Sequence, residues 1–152
     1  MMKSICFVCH GNICRSPMAE FLLKEMLKQR GLENDYLVES RATSTEEIGN
    51  PPHYGTVEKL TQFGIVPENK FAVQLTRSDY NKYDLIIGMD DANIRNILRI
   101  TGGDRSGKVR KLMSFAGSDR SVADPWYTGD FDTTYKDVKE GCDGLMKYLG
   151  IF

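Results

Sequence analysis

Apolar positions along the chain fall into two rhythms, and their alternation predicts the fold. Lys3 to Val8 is β-rich and apolar on both faces, as in a strand buried within a parallel sheet. It runs into a turn containing Gly11 and Asn12. Ser16-Pro17 then signals a helix start, and Met18, Ala19, Leu22, Leu23, Met26 and Leu27 recur at helical spacing until Gly31. Tyr36 to Glu39 is a second short strand, followed by a long polar loop from Ser40 to Pro52 and a helix over His53 to Phe63 that Gly64 ends. Asp84 to Met89 is another buried strand, and Asp90 begins a helix through Ile94, Ile97 and Leu98 that stops before Gly102-Gly103. Val109 to Phe115 is the last and weakest strand candidate, being rich in Lys and Arg. Tyr135, Val138, Cys142, Leu145 and Leu149 form the apolar stripe of a closing helix. Strands alternating with helices predict an α/β sandwich around a mostly parallel sheet. No repeat or interdomain linker interrupts it, so residues 1–152 are expected to form one domain.

Composition narrows the classes of function. With 41% apolar and 27% charged residues, extended disorder and a disulfide-stapled miniprotein are both excluded. Twenty basic against 21 acidic residues leave a formal net charge of -1, so no global basic field favours nucleic acid or an anionic membrane; an anion must be captured locally. No apolar run approaches the roughly 20 residues of a spanning helix. The apolar stretch after Met1-Met2-Lys3 is too short for a signal peptide, so a cytoplasmic protein with four reduced cysteines is expected.

Local capture of an anion has one obvious seat. In a parallel sheet, ligands sit at the carboxyl ends of strands, where helix amino termini point. Here that end is Cys9-His10-Gly11-Asn12-Ile13-Cys14-Arg15-Ser16. A cysteine and an arginine separated by five residues, wrapped around such a turn, put a thiol inside a ring of backbone N–H donors that a guanidinium closes. Helix terminus and Arg15 favour the thiolate, the nucleophilic form, and the donors suit the equatorial oxygens of a phosphoryl group. Gly11 and Asn12 are the residues able to take positive φ, and the Ser16 hydroxyl is within reach of the Cys9 sulfur. No metal or other cofactor is required. A leaving alkoxide or phenolate needs a general acid, and Asp124 in Asp124-Pro125-Trp126-Tyr127 is the best candidate, with two aromatics beside it as walls for a flat substrate. Asp130 is the rival, but it reads as the cap of the last helix.

With Cys9 to Ser16 at one end and Asp124-Pro125 at the other, the chain resembles the low-molecular-weight protein tyrosine phosphatase family over essentially its whole length. Val8 to Glu20 matches that family's phosphate loop and first helix, Glu47-Ile48-Gly49-Asn50-Pro51-Pro52 its substrate-side loop, and Asp124 to Tyr127 its acid loop. The resemblance implies a three-layer sandwich of flavodoxin-like topology, with helices on both faces of a four-stranded parallel sheet. It implies Cys9 as nucleophile, Arg15 as phosphate clamp and Asp124 as acid then base. His10, Gly11, Asn12, Ile13, Cys14 and Ser16 would complete the phosphate loop. Glu46, Ile48, Asn50, Trp126 and Tyr127 would form the substrate rim, and Cys9 with Cys14 a reversible disulfide. The partner implied is a phosphotyrosine protein or peptide, with phosphate and other oxyanions as inhibitors and the chain a monomer or weakly self-associating.

Three positions depart from the family pattern. Lys70 stands where a histidine that bonds the loop asparagine is frequent, and Val73 where an arginine is usual, so loop rigidity or its pH dependence is expected to differ. Glu46 replaces a frequent aromatic, which makes the rim more polar. Ile13, where phosphoarginine phosphatases tend to have threonine, favours an aromatic leaving group. Related arsenate reductases need two further mid-chain cysteines, and none lies between Cys14 and Cys142.

The alternatives are a protein arginine phosphatase, a non-catalytic phosphotyrosine-binding module and a thiol redox module. A binding module has no need of thiol, arginine and acid together, and a redox protein has no need of Arg15 or Asp124. Cys6 and Cys142 are expected to pack in the core, and His53 to start a helix. Asp90 is equally a site support or a helix cap, while Asp79-Tyr80 and Arg105 to Lys111 are expected to be solvated surface.

Overall fold

The structure, a computed structural model, describes residues 2–152. Met1, the first residue of the expected 1–152 domain and of the stretch weighed as a signal peptide, lies outside the described residues. In chain order the elements are β1 (Lys3–Cys9), α1 (Arg15–Lys28), β2 (Tyr36–Ala42), α2 (Tyr54–Thr61), α3 (Asp79–Lys82), β3 (Leu85–Gly88), α4 (Asp91–Thr101), β4 (Val109–Lys111), a short 3-10 helix (Leu112–Ala116), α5 (Pro125–Thr128) and α6 (Phe131–Tyr148). The four strands form one parallel sheet in the order β2-β1-β3-β4, which is the flavodoxin-like arrangement expected.

β1 is apolar on both faces because both are covered. Ile5, Phe7 and Cys9 pack on one side against α1 and α6, through Met18, Leu22, Leu23, Val138 and Leu145. Cys6 and Val8 pack on the other against Ile97 of α4 and the ring of Tyr83. Cys6 and Cys142 are fully buried, each inside one of these layers, and burial pushes both thiols up. Close approach of α6 to the segment after β4 depends on Gly141 and Gly144: a Cβ on Gly144 would lie 2.3 Å from the Phe115 carbonyl oxygen. Among the described residues no helix is long and apolar enough to cross a membrane.

Four sequence-based expectations change. β2 runs on to Ala42, because Ser40 and Arg41 spend their polar groups on Glu20, Glu39 and Asp79 rather than on water. The expected strand over Val109 to Phe115 keeps only three residues before the chain tightens into the 3-10 helix. Asp79 and Tyr80 are not solvated surface: Asp79 is buried and accepts from the Thr76 N–H, and the Tyr80 hydroxyl donates to Asp104. The Arg105 to Lys111 run is likewise engaged at its end, since Lys108 donates to the Tyr80 carbonyl and Lys111 pairs with Asp91.

Candidate active site

The β1–α1 turn is held open by what its carbonyls do. The Cys9 and His10 carbonyls accept from the N–H groups of Thr43 and Ser44, the Ile13 carbonyl from His53, and the Cys14 carbonyl from the Thr56 hydroxyl and the N–H of Met18. With these carbonyls anchored outward, the turn has the geometry in which N–H groups can face inward as an anion nest. The Asn12 N–H points at the Cys9 sulfur, 3.3 Å away. Of the two residues expected to carry positive φ, only Asn12 does, at 59°. Gly11 instead allows close packing: a Cβ there would press on the Glu47 side chain at 3.3 Å, which would have to shift slightly.

Cys9 ends β1 and Arg15 begins α1, so strand and helix together fix their separation. Cys9 is 3% exposed, and its sulfur lies 3.0 Å from the Ser16 hydroxyl. Arg15 is equally buried. Its Nη1 donates to Asp90 at 2.8 Å and to the Val122 carbonyl at 3.1 Å, and its Nη2 to Asp124 at 3.4 Å. Burial alone would pull the guanidinium down, but negative charge at Cys9, Asp124 and Asp90 outweighs it and holds Arg15 above its usual range. Asp90 serves both expected roles at once, since its other oxygen accepts from the Asn93 N–H and caps α4.

Beneath the loop, Asn12 is wholly buried. Its amide donates to Ser16 Oγ and Ser40 Oγ, and its carbonyl oxygen accepts from the Val73 N–H. Lys70, expected at a position that bonds this asparagine, instead reaches the Ser40 carbonyl at 2.9 Å and Glu20 at 3.4 Å. Burial lowers Lys70 despite the Glu20 charge. Cys14 is buried too, and desolvation, reinforced by Cys9 and Asp124, pushes its thiol up to about 12.

Above the loop lies a cleft of about 460 Å³. Its floor is Cys9, Gly11, Ile13, Cys14 and Arg15; Asp124, Trp126 and Tyr127 rise on one side, His10, Glu46 and Glu47 on another. Asp124 is positioned by α5, which it caps through the Trp126 N–H at 3.1 Å. Trp126 and Tyr127 project into solvent, 61% and 85% exposed. His10 turns outward to Glu46 at 3.0 Å.

Ile48 and Asn50, expected on the rim, do not line the cleft. Their loop folds back through the Gly49 N–H to the Ala72 carbonyl and the Ala72 N–H to the Asn50 carbonyl, and the Asn50 amide holds Glu47 at 2.6 Å. Sequence reasoning missed the third wall, Ala92, Asn93 and Asn96 of α4, and overlooked Glu47 as a lining residue. The usable signal was Asp90 itself, a cap at a strand's carboxyl end that carries the following helix to the same edge. Asp130 caps α6 through Thr133, as expected. His53 caps α2 and stacks on Phe131, 5.2 Å between ring centres. Among the described residues no group of three His, Cys, Asp or Glu is placed to hold a metal ion.

Comparison with known proteins places this arrangement. The family model described as low molecular weight phosphotyrosine protein phosphatase matches residues 4–150. The Bacillus subtilis low molecular weight protein-tyrosine-phosphatase YfkJ is 38% identical over 147 residues, covering 95% of this chain and 94% of the relative. The crystal structure of YfkJ superposes with a TM-score of 0.95 over 99% of this chain and 96% of that one, at 37% identity. A Streptococcus pyogenes low molecular weight protein tyrosine phosphatase gives 0.88 at 41% identity, over 97% of this chain and 93% of that one. A Drosophila arginine phosphatase gives 0.85 at 25%, over 97% and 98%.

Proposed function

Since the chain belongs to the low molecular weight phosphotyrosine protein phosphatase family, we propose that it hydrolyses phosphotyrosine in proteins or peptides through a phosphocysteine on Cys9. The observation that carries this reading is the buried Cys9 sulfur facing the Asn12 N–H in a cleft that Arg15 also lines, with Asp124 on the same guanidinium. The phosphoryl group would occupy the nest, its equatorial oxygens held by loop N–H groups and by Arg15. It would compete with Asp124 for Arg15 Nη2, releasing the acid as substrate binds.

The Cys9 thiolate attacks phosphorus, and the bond to the phenolic oxygen breaks as Asp124 delivers its proton to that oxygen. Asp124, now a carboxylate, takes a proton from water, whose oxygen attacks the phosphocysteine. Phosphate leaves, and the departing Cys9 sulfur is steadied by the Ser16 hydroxyl. Trp126 and Tyr127 would flank the phenol ring, and Ile13 on the floor suits an aryl group better than a guanidinium. We also propose a cytoplasmic setting and reversible oxidation of Cys9 with Cys14 as partner. In a reducing compartment Cys9 rests as the free nucleophile.

Steady-state hydrolysis of a phosphotyrosine peptide, with chelator present and phosphoserine and phosphoarginine peptides alongside, tests the reading. Activity on phosphotyrosine should vanish in Cys9→Ser and fall by about 100-fold or more in Asp124→Asn. Preference for phosphoarginine would overturn the reading of Ile13, and full activity in Cys9→Ser would overturn the mechanism.

A further inference from the structure

Beside the cleft stands a row of aromatic rings that the chemistry at Cys9 does not use. Trp126, on the cleft wall, meets His53 at 6.2 Å between ring centres, and His53 stands 4.4 Å from Tyr54, the first residue of α2. The row is built from below. Phe131 packs against Ile13 and Cys14 of the cleft floor, and His53 stacks on it at 5.2 Å. Gly55 leaves the space, since a Cβ there would fall 2.4 Å from the Phe131 ring. His53 is fixed at two more points, its N–H donating to the Ile13 carbonyl at 2.8 Å and its Nδ1 accepting from the Gly55 N–H at 3.0 Å. Yet the outer rings face water: Tyr54 is 76% exposed and Trp126 61%. Aromatic surface held rigid and left wet marks an interaction site rather than a core.

What these rings lack is a cation. On other faces of the molecule Lys and Arg cover aromatic rings: Arg110 lies over Phe115 and Tyr148, 4.1 and 5.0 Å from the ring centres, and Lys59 over Phe63 and Tyr135. Among the described residues no Lys or Arg stands over Trp126 or Tyr54. Charge at the cleft mouth points the same way. Glu46, Glu47 and Asp124 line it, Arg15 is already shared between Asp90 and Asp124, and His10 is turned to Glu46. Negative potential beside uncovered π faces suits a cation arriving from outside. Arginine fits better than lysine, because its plane stacks on an indole or phenol while its charge stays in water.

We propose that Trp126, His53 and Tyr54 form a docking surface for a cationic side chain, arginine above lysine, carried by the phosphotyrosine substrate itself. Cleft and row share Trp126, so a peptide with its phosphotyrosine in the cleft passes directly onto the row. The steps of 6.2 and 4.4 Å along it match the roughly 10 Å that three extended residues span, which places the arginine within about three residues of phosphotyrosine. The proposal rests on the reading of the cleft as a phosphotyrosine site.

The test compares phosphotyrosine peptides that carry arginine, citrulline or glutamate at each of the three positions on either side. Citrulline keeps the plane and loses the charge. Trp126 is the only tryptophan, so its emission reports occupancy of the row. Kd is read this way in Cys9→Ser, which should hold the peptide without turnover, and kcat/KM with Cys9 in place, each with and without Tyr54→Leu or Tyr54→Phe. Tyr54 is exposed and does not line the cleft, so both changes should keep the fold and the wild-type rate on a small aryl phosphate. The expected result is a preference for arginine over citrulline of about fivefold at one or more positions, in KM and Kd and not in kcat. Tyr54→Leu should cut that preference by about twofold to fivefold, and Tyr54→Phe should keep it.

Equal handling of arginine and citrulline peptides would overturn the proposal. So would an arginine preference that survives intact in Tyr54→Leu, since that assigns it to the carboxylates of the cleft mouth. Sedimentation gives the remaining check: a dimer that Tyr54→Leu dissociates, with peptide selectivity unchanged, would assign the row to a second copy of this chain and overturn the proposal too. The two readings fail separately. Absence of hydrolysis with arginine-dependent binding intact sinks the phosphatase reading alone, and normal hydrolysis without arginine preference sinks the docking surface alone.

Discussion

Replacing Asp90 probes how the fold aims Arg15. Asp90→Ala removes two interactions at once. The α4 cap through the Asn93 N–H at 2.7 Å is worth about 1 kcal/mol. The charged bond to Arg15 Nη1 at 2.8 Å is worth about 1.5–3 kcal/mol. The lower end applies to the second, because Asp90 is 25% exposed and Arg15 keeps the Val122 carbonyl and Asp124. The sum is about 2.5 kcal/mol, a fall of roughly 5–10 °C in Tm for a chain of this size. Asp90→Asn can keep the cap with its amide oxygen but then presents N–H groups to a guanidinium that is itself all donors. It loses the Arg15 bond alone, about 1.5 kcal/mol.

Activity separates from stability here. Freed from Asp90, the guanidinium leans towards Asp124, occupying both the phosphate clamp and the acid, so both variants should lose about 100-fold in kcat/KM on an aryl phosphate. Urea unfolding gives the stability term as a shifted midpoint at constant slope, and initial rates give the second. Asp91→Ala, one residue on and paired with Lys111, is the control expected to keep its activity. If Asp90→Ala retains wild-type kcat/KM and phosphate affinity, Arg15 is aimed by the Val122 carbonyl alone and the argument is wrong.

Three further outcomes follow from the geometry. Gly144→Ala should destabilise by about 1–2 kcal/mol despite the gain in helix propensity, because its Cβ meets a backbone carbonyl that cannot move aside; an unchanged urea midpoint would contradict this. Burial by itself would raise Asp104, but bonds from the Tyr80 hydroxyl and the N–H groups of Lys108 and Val109 outweigh it and hold the carboxyl below its usual range. A depressed carboxyl stabilises the fold above its unfolded value, about 3.9, and that contribution is lost as pH falls through the folded value, so Asp104→Asn should flatten acid unfolding in that window. With its thiol pushed up to about 12, Cys14 would resolve an oxidised Cys9 only slowly at neutral pH, if it takes the role proposed above. Added thiol should therefore restore peroxide-treated wild type only after brief exposure, while Cys14→Ser should lose recovery faster still; equal recovery in the two would remove Cys14 from the reaction.

Period and punctuation carried most of the architecture. β1 was legible because both its faces are buried, which leaves a continuous apolar run, and α1, α4 and α6 because each buries one face, which imposes a period of 3.6, with Pro17, Asp90, Gly102 and Asp130 marking helix ends. The Cys9 to Ser16 loop was legible for a related reason: a chemistry needing a thiol, a turn and a guanidinium within one loop leaves them adjacent in the sequence. Asp124 was found by its local Pro and aromatic neighbours, which set up α5.

Partnerships made across the chain were not legible, since sequence spacing carries no record of which strand ends meet. The carbonyls that turn the loop inside out are held by residues 43, 44, 53 and 56. Arg15 is aimed from 75 and 107 residues away, and the cleft's α4 wall exists only because β3 lies beside β1. Lys70 was visible as an unusual residue, but that it bonds Ser40 and Glu20 rather than Asn12 depends on how the segment from Lys70 to Gln74 runs parallel beside the end of β2. Local sequence determined where the main elements lie and which groups are candidates for the chemistry; only tertiary packing decided where β2 and β4 end and what each of those groups faces, because a hydrogen bond or ion pair is set by distance in space and not along the chain.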